Sequence, residues 1–216
     1  VAIRLNPNVE AKTHKYITTG LNENKFGIHE DQLPELFDLL PTLDAVKLTG
    51  IHFHIGSQIR DLEPFRNLCR RVNDYQNVFE ENGFLLKHVN LGGGYGINYA
   101  EPDHELIPDF ESFFKVFDDH LEVRPGQEVH FELGRSIVGQ CGSLISRVLY
   151  IKEGKSTRFA VLDAGMTELI RPALYQSDHK VDVLTSNLPQ LTYDVVGPIC
   201  ESSDTFRNSV SLPELQ

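Results

Sequence analysis

The stretch His130-Phe-Glu-Leu-Gly-Arg-Ser-Ile-Val138 reads as the end of a buried strand opening into a glycine-containing turn, with Glu132 and Arg135 on that turn. Before it, apolar strands alternate with amphipathic helices. After it the helical periodicity fades and the pattern becomes β-rich. The stretch is therefore a seam between two architectures and a strand exit where charge gathers. A carboxylate and a guanidinium buried there are costly unless something charged binds them.

Outward toward the N-terminus, the helices and strands follow in regular order. Val1–Asn6 is an apolar strand ending in Asn-Pro, and a polar loop runs on to Lys25-Phe-Gly-Ile28. Leu33, Leu36, Phe37 and Leu40 fall at helical spacing, so the pattern predicts a helix over 31–40 with Pro34 in its first turn. Val46–Ile55 reads as a strand closing in Gly56-Ser57-Gln58. Phe65, Leu68, Cys69, Val72 and Phe79 stripe a helix over 62–81, ended by Asn82-Gly83. Leu86–Leu91 is a third strand, closing in Gly92-Gly93-Gly94. Phe110, Phe113, Phe114 and Phe117 mark a third helix, and Glu128–Glu132 a fourth strand.

Four strands alternating with three helices predict a parallel sheet, as in βα barrels, where the reacting groups sit at the strands' C-terminal ends. Four strands make half of a closed eight-stranded barrel, so either the sheet is open or the chain lacks the first half. Toward the C-terminus, Ser143–Ile151, Arg158–Leu162 and Leu191–Val196 are β-like. The expected domains are 1–138 and 139–216. The abrupt end at Ser211–Gln216 reads as a cut.

A formal net charge of −11 argues against a nucleic-acid partner, whose phosphates call for Lys/Arg patches. No apolar run approaches the roughly 18–20 residues of a membrane span, and the opening Val-Ala-Ile-Arg-Leu reads as a strand rather than a signal peptide. Three widely spaced cysteines, Cys69, Cys141 and Cys200, give no disulfide framework and fit a reducing cytoplasm. The nine histidines contain no HExxH and suggest no ligand set, so no metal is expected.

Several residues invite chemistry. Gly92, Gly93 and Gly94 follow a strand and read either as a phosphate cradle or as a tight βα turn. Ser57 could lend a hydroxyl to the same phosphate. His54 is either a core histidine or a flat ring covering an aromatic ligand. Glu132 would repel a phosphate but suits a cationic ring nitrogen. A phosphate at one end and a protonated ring nitrogen at the other describe pyridoxal 5'-phosphate. Arg171 and Tyr175, four apart, read as a stacked surface pair or as a carboxylate clamp. Cys200 beside Glu201 offers a thiol for proton transfer, or is simply a small buried residue.

Taken together, Asn24–Ile28, His52-Phe-His-Ile-Gly-Ser-Gln58, Leu91-Gly-Gly-Gly-Tyr-Gly96, Glu132-Leu-Gly-Arg-Ser136, Asp163–Tyr175 and Gly197-Pro-Ile-Cys-Glu-Ser-Ser-Asp204 resemble the fold-type-III pyridoxal-phosphate decarboxylases, most closely the diaminopimelate decarboxylase branch. The six segments run in the family's order and cover essentially the whole chain. The resemblance implies the second half of a (β/α)8 TIM-type barrel followed by part of a β-sandwich or β-barrel domain. It assigns His54 to stack on the cofactor ring. Ser57, Gly92, Gly93, Gly94 and the turn Leu133-Gly134 fall to the phosphate, and Glu132 to the pyridine nitrogen. Arg135, Arg171 and Tyr175 fall to a substrate carboxylate, Glu201 to its distal amino group, and Cys200 to protonating Cα. It also implies a homodimer with active sites shared across the interface; a salt bridge between Lys25 and Asp204 across that interface is a separate hypothesis from their charges.

Relatives acting on ornithine carry Cys-Asp where this chain has Cys200-Glu201, which favours meso-2,6-diaminopimelate and L-lysine as substrate and product. Three features depart from the family pattern. Leu133 replaces the usual proline, and the family's Schiff-base lysine, on the first barrel strand, has no counterpart here. Lys47 and Lys87 precede their strands, at the wrong end of a barrel. The family's late tyrosine also has no counterpart. The isolated chain is therefore expected to lack activity. Decarboxylases of carboxynorspermidine, ornithine or arginine, and a non-catalytic binding protein on the same scaffold, are the alternatives.

Overall fold

Alternation of apolar and polar residues sets the first sheet. In the computed structural model, which describes residues 1–10, 25–184 and 187–215, β1 (Ala2–Arg4), β2 (Gly50–His52), β3 (His88–Asn90) and β4 (Glu128–His130) pair in that order, all parallel. Ile3, Ile51, Val89 and Val129 form one row of the register. They join the core built with the helices. Side chains alternate across a strand, so Ala2, Gly50, His88 and Glu128, and then Arg4, His52, Asn90 and His130, form two rows on the opposite, polar face.

The strands are shorter than the apolar runs suggested. Val46 lies in a turn, its amide donating to Leu43 O at 3.2 Å. The ladder does continue past the exits: Phe53 N to Asn90 O (2.8 Å), Leu91 N to His130 O (2.9 Å) and Glu132 N to Gly92 O (2.8 Å). The four exits thus stay in step. Asn24 and the rest of the loop over 11–24 lie outside the described residues.

α1 (Leu33–Leu39) has Pro34 in its first turn, where a missing amide hydrogen costs nothing. α2 (Glu63–Glu81) buries Phe65, Leu68, Cys69, Val72, Tyr75, Gln76 and Phe79, one stripe at helical spacing. It ends at Asn82, followed by Gly83 at φ +84°. α3 (Phe110–His120) is capped by Asp109, whose carboxylate accepts from Ser112 N at 2.9 Å. Phe113 of α3 stacks edge-on with Phe65 of α2, ring centroids 5.0 Å apart, which locks the two helices on the sheet. Each such buried ring is worth about 2–3 kcal/mol. The short α4 (Arg135–Val138) follows the β4 exit.

The second sheet has the order β5 (Val148–Glu153), β6 (Arg158–Leu162), β7 (Gln190–Val196) and β8 (Thr205–Pro213). β5–β6 and β7–β8 are antiparallel, and β6–β7 is parallel across a crossover holding α5 (Arg171–Tyr175). Ala160, Tyr193, Val195 and Leu212 form its core. Of the terminal stretch, Ser211–Pro213 belong to β8, the sheet's edge strand. The first strand expected here starts at Val148, not Ser143. The chain divides into two compact units: Val1–Ile97 with Leu106–Cys141, and Asn98–Glu105 with Gly142–Gln216.

Candidate active site

In the first unit, the exits of β2, β3 and β4 bring the expected cofactor residues together. The glycine run packs against both neighbours. A Cβ on Gly92 would lie 2.2 Å from Phe53 O, one on Gly93 2.2 Å from Glu132 O, and one on Gly94 2.2 Å from Gly56 O. Three exits therefore meet through bare backbone. Gly92 N donates to Asn90 Oδ1 (2.9 Å) and Gly93 N to His54 Nδ1 (3.3 Å), so the loop's shape is held by strand side chains.

His54 is half-buried, and its pKa falls below the usual histidine value. Desolvation is the main cause, followed by the positive Arg4. The accepting Nδ1 agrees with a neutral ring. Glu132, expected to be buried, has a side chain that is 51% exposed. Asn90 Nδ2 donates to its Oε1 at 2.9 Å, and His52 Nε2 lies 3.3 Å from its Oε2. Two neighbouring side chains thus orient the carboxylate. Arg135 donates from one guanidinium nitrogen to Ser57 Oγ at 3.2 Å, joining the β2 and β4 exits. Gly134 precedes α4 in open space, so no steric demand explains its glycine, and Leu133 is half-buried beside the core. The Ser136 hydroxyl is buried with no hydrogen-bond partner among the described residues. The Asn90 and His52 supports of Glu132 were not singled out from sequence, although each is the last residue of its strand.

In the second unit, the Arg171 guanidinium lies over the Tyr175 ring at 5.4 Å and over the Tyr99 ring at 5.1 Å. The stacked pair read from sequence thus gains a second ring, Tyr99, of which the spacing gave no hint. Cys200 is exposed and outside any disulfide, not a small buried residue. Glu201 is exposed, and its Oε1 accepts from the Ser203 amide and hydroxyl, both at 3.3 Å. Asp204 corrects an expectation. It is 3% exposed and spends its carboxylate on Met166 N (2.6 Å) and Ile199 N (2.8 Å). A carboxylate committed to the backbone of its own loops is not available to Lys25 of another subunit.

The pyridoxal-binding domain model of the pyridoxal-dependent decarboxylases matches residues 1–139. The chain belongs to the pyridoxal-dependent decarboxylase family. This family member is 53% identical over 216 residues to diaminopimelate decarboxylase of Bacteroides thetaiotaomicron, covering 100% of the chain and 56% of that relative. The crystal structure of the Helicobacter pylori diaminopimelate decarboxylase complexed with L-lysine superposes with a TM-score of 0.90 at 40% identity, covering 100% of the chain and 53% of that one. That from M. jannaschii in co-complex with L-lysine gives 0.82 at 33% identity, covering 100% and 51%. The chain spans about half the length of the relatives it matches. The family's cofactor is pyridoxal 5'-phosphate. The residues fit such a group: three strand exits meet through glycine backbone that tolerates no Cβ, the buried Ser136 hydroxyl lacks a partner among the described residues, and a carboxylate stands oriented at the adjacent exit.

Proposed function

We propose that the protein containing this chain decarboxylates meso-2,6-diaminopimelate to L-lysine and carbon dioxide, using pyridoxal 5'-phosphate. The observation that carries the reading is the oriented Glu132 carboxylate at the same strand-exit level as the His54 ring and the bare Gly92–Gly94 backbone. Identity to diaminopimelate decarboxylases along the whole chain supports the substrate. Residues 1–138 are the C-terminal half of a (β/α)8 barrel, and 139–216 part of a β domain carrying substrate and dimer-interface loops.

Bound pyridoxal phosphate supplies an electron sink for the pair released when the Cα–carboxylate bond breaks. Glu132 holds the proton on the ring nitrogen, Asn90 and His52 holding its carboxylate in place. His54 covers one ring face as a neutral, apolar-sided plate. Ser57, Gly92–Gly94 and the Leu133-Gly134-Arg135 turn receive the phosphate. Arg135, Arg171 and Tyr175 bind the carboxylate that stays on the substrate, and Tyr99 fixes the plane of the Arg171 fork. Glu201 binds the distal ammonium. Cys200 delivers a proton to Cα in place of the departing carboxylate. The enzyme works as a cytoplasmic homodimer with active sites shared between subunits. The family's cofactor lysine has no counterpart here, so the isolated chain is inactive.

A substrate panel on the full-length protein tests the reading. Diaminopimelate is turned over in clear preference to ornithine, arginine and carboxynorspermidine. Equal rates, or preference for a substrate without a distal carboxylate, would overturn it.

A further inference from the structure

The sheet's polar face carries a cluster that the decarboxylation chemistry does not use. The β3–β4 register sets His88 beside Glu128 and Asn90 beside His130. His88 Nδ1 lies 3.2 Å from His130 Nε2 and 3.3 Å from Glu128 Oε2, and the last two atoms are 3.6 Å apart. We propose that His88, Glu128 and His130 bind one late first-row divalent cation, Zn²⁺ above all.

Three arguments converge. A tetrahedral Zn²⁺ with bonds of about 2.0–2.1 Å needs donor atoms about 3.3–3.4 Å apart; the edges of 3.2 and 3.3 Å fit this, and the 3.6 Å edge closes to it with a small side-chain shift. Next, hydrogen bonding alone serves the trio poorly. His88 Nδ1 faces both other atoms, and a single N–H on it cannot point at the two together, whereas one cation satisfies all three lone pairs. Lastly, the register row that holds His88 and Glu128 continues into Gly50 and Ala2, which carry no side chain and a methyl. A side chain at Gly50 would collide with His88 Cβ at 2.8 Å. The row therefore adds no side chain larger than a methyl beside the trio, and a water completes the tetrahedron. Two imidazoles and a carboxylate suit Zn²⁺ and its first-row neighbours rather than Mg²⁺ or Ca²⁺.

The ion clasps β3 to β4 two rows below the Glu132 exit and takes no part in the reaction there. The site escapes sequence reading because His88 and His130 are 42 residues apart and match no ligand spacing.

The test strips the full-length protein with a chelator and titrates it with Zn²⁺ alone, following stoichiometry by calorimetry and elemental analysis. Wild type takes up one equivalent more than His130→Ala, and Zn²⁺ raises the melting temperature of wild type but not of the variant. Glu128→Gln keeps the side chain's shape and weakens that equivalent about tenfold or more. Should His130→Ala fail to fold by circular dichroism, Glu128→Gln decides with the same two readings. Identical stoichiometry and affinity in wild type and the folded variants would overturn the proposal and leave the trio as a hydrogen-bonded cluster.

Discussion

The Asp204 carboxylate accepts the Met166 amide at 2.6 Å, tying the turn that carries Cys200 and Glu201 to the loop that leads into Arg171. Its other oxygen accepts Ile199 N at 2.8 Å, one residue before Cys200. Gly165 and Gly197 press so close that a Cβ on either would meet the carboxylate. One buried acid therefore shapes both loops proposed to hold substrate.

Replacing Asp204 by alanine strands two amides without acceptors. The unfolding free energy falls by about 2–4 kcal/mol, read from denaturant melts. In the full-length enzyme KM for diaminopimelate rises as the loops part. Unchanged stability would show that solvent replaces the carboxylate at no cost.

The glycine run separates steric from conformational demand. Gly93→Ala drives a methyl into Glu132 O and costs about 1–3 kcal/mol. Gly134→Ala, in open space, stays within about 0.5 kcal/mol in stability. If Gly93→Ala were the milder of the two, the close approach of the β3 and β4 exits would be wrong.

His54 titrates with a definite sign. Its folded pKa lies below the ordinary 6.5, chiefly through desolvation and then through Arg4, so the unfolded chain binds the extra proton first. The stability this adds is complete above pH 6.5 and is lost as pH falls from there through the folded value. Melts from pH 8 downward are steeper for wild type than for His54→Gln in that window. Parallel curves would mean that the ring is solvated when folded.

In the full-length enzyme, Cys200→Ala lowers kcat by about 10²-fold or more while cofactor absorbance persists. An unchanged rate would remove Cys200 as the proton donor to Cα. Glu201→Asp shortens the reach to the distal ammonium and raises KM more than it lowers kcat. The reverse split would give Glu201 a part in the chemistry instead.

The amino-acid sequence by itself determined the order of elements. The α2 stripe from Phe65 to Phe79, its end at Asn82-Gly83, and the polar strand exits are local signals, and they fold as they read. It also named the exits where Glu132, His54 and the glycines meet, since a βα repeat brings its strand ends to one edge. It overstated strand lengths at Val46 and Ser143, where apolar content continues without a partner strand, and it missed β8, whose pairing with β7 is not local. Only the tertiary structure decided what touches across the sheet. The parallel register, set by backbone ladders between segments about 40 residues apart, put His88 beside Glu128 and Asn90 under Glu132. It also turned Asp204 inward and set Tyr99 against Arg171. Such contacts depend on chain segments meeting in space, and no periodicity within one segment encodes them.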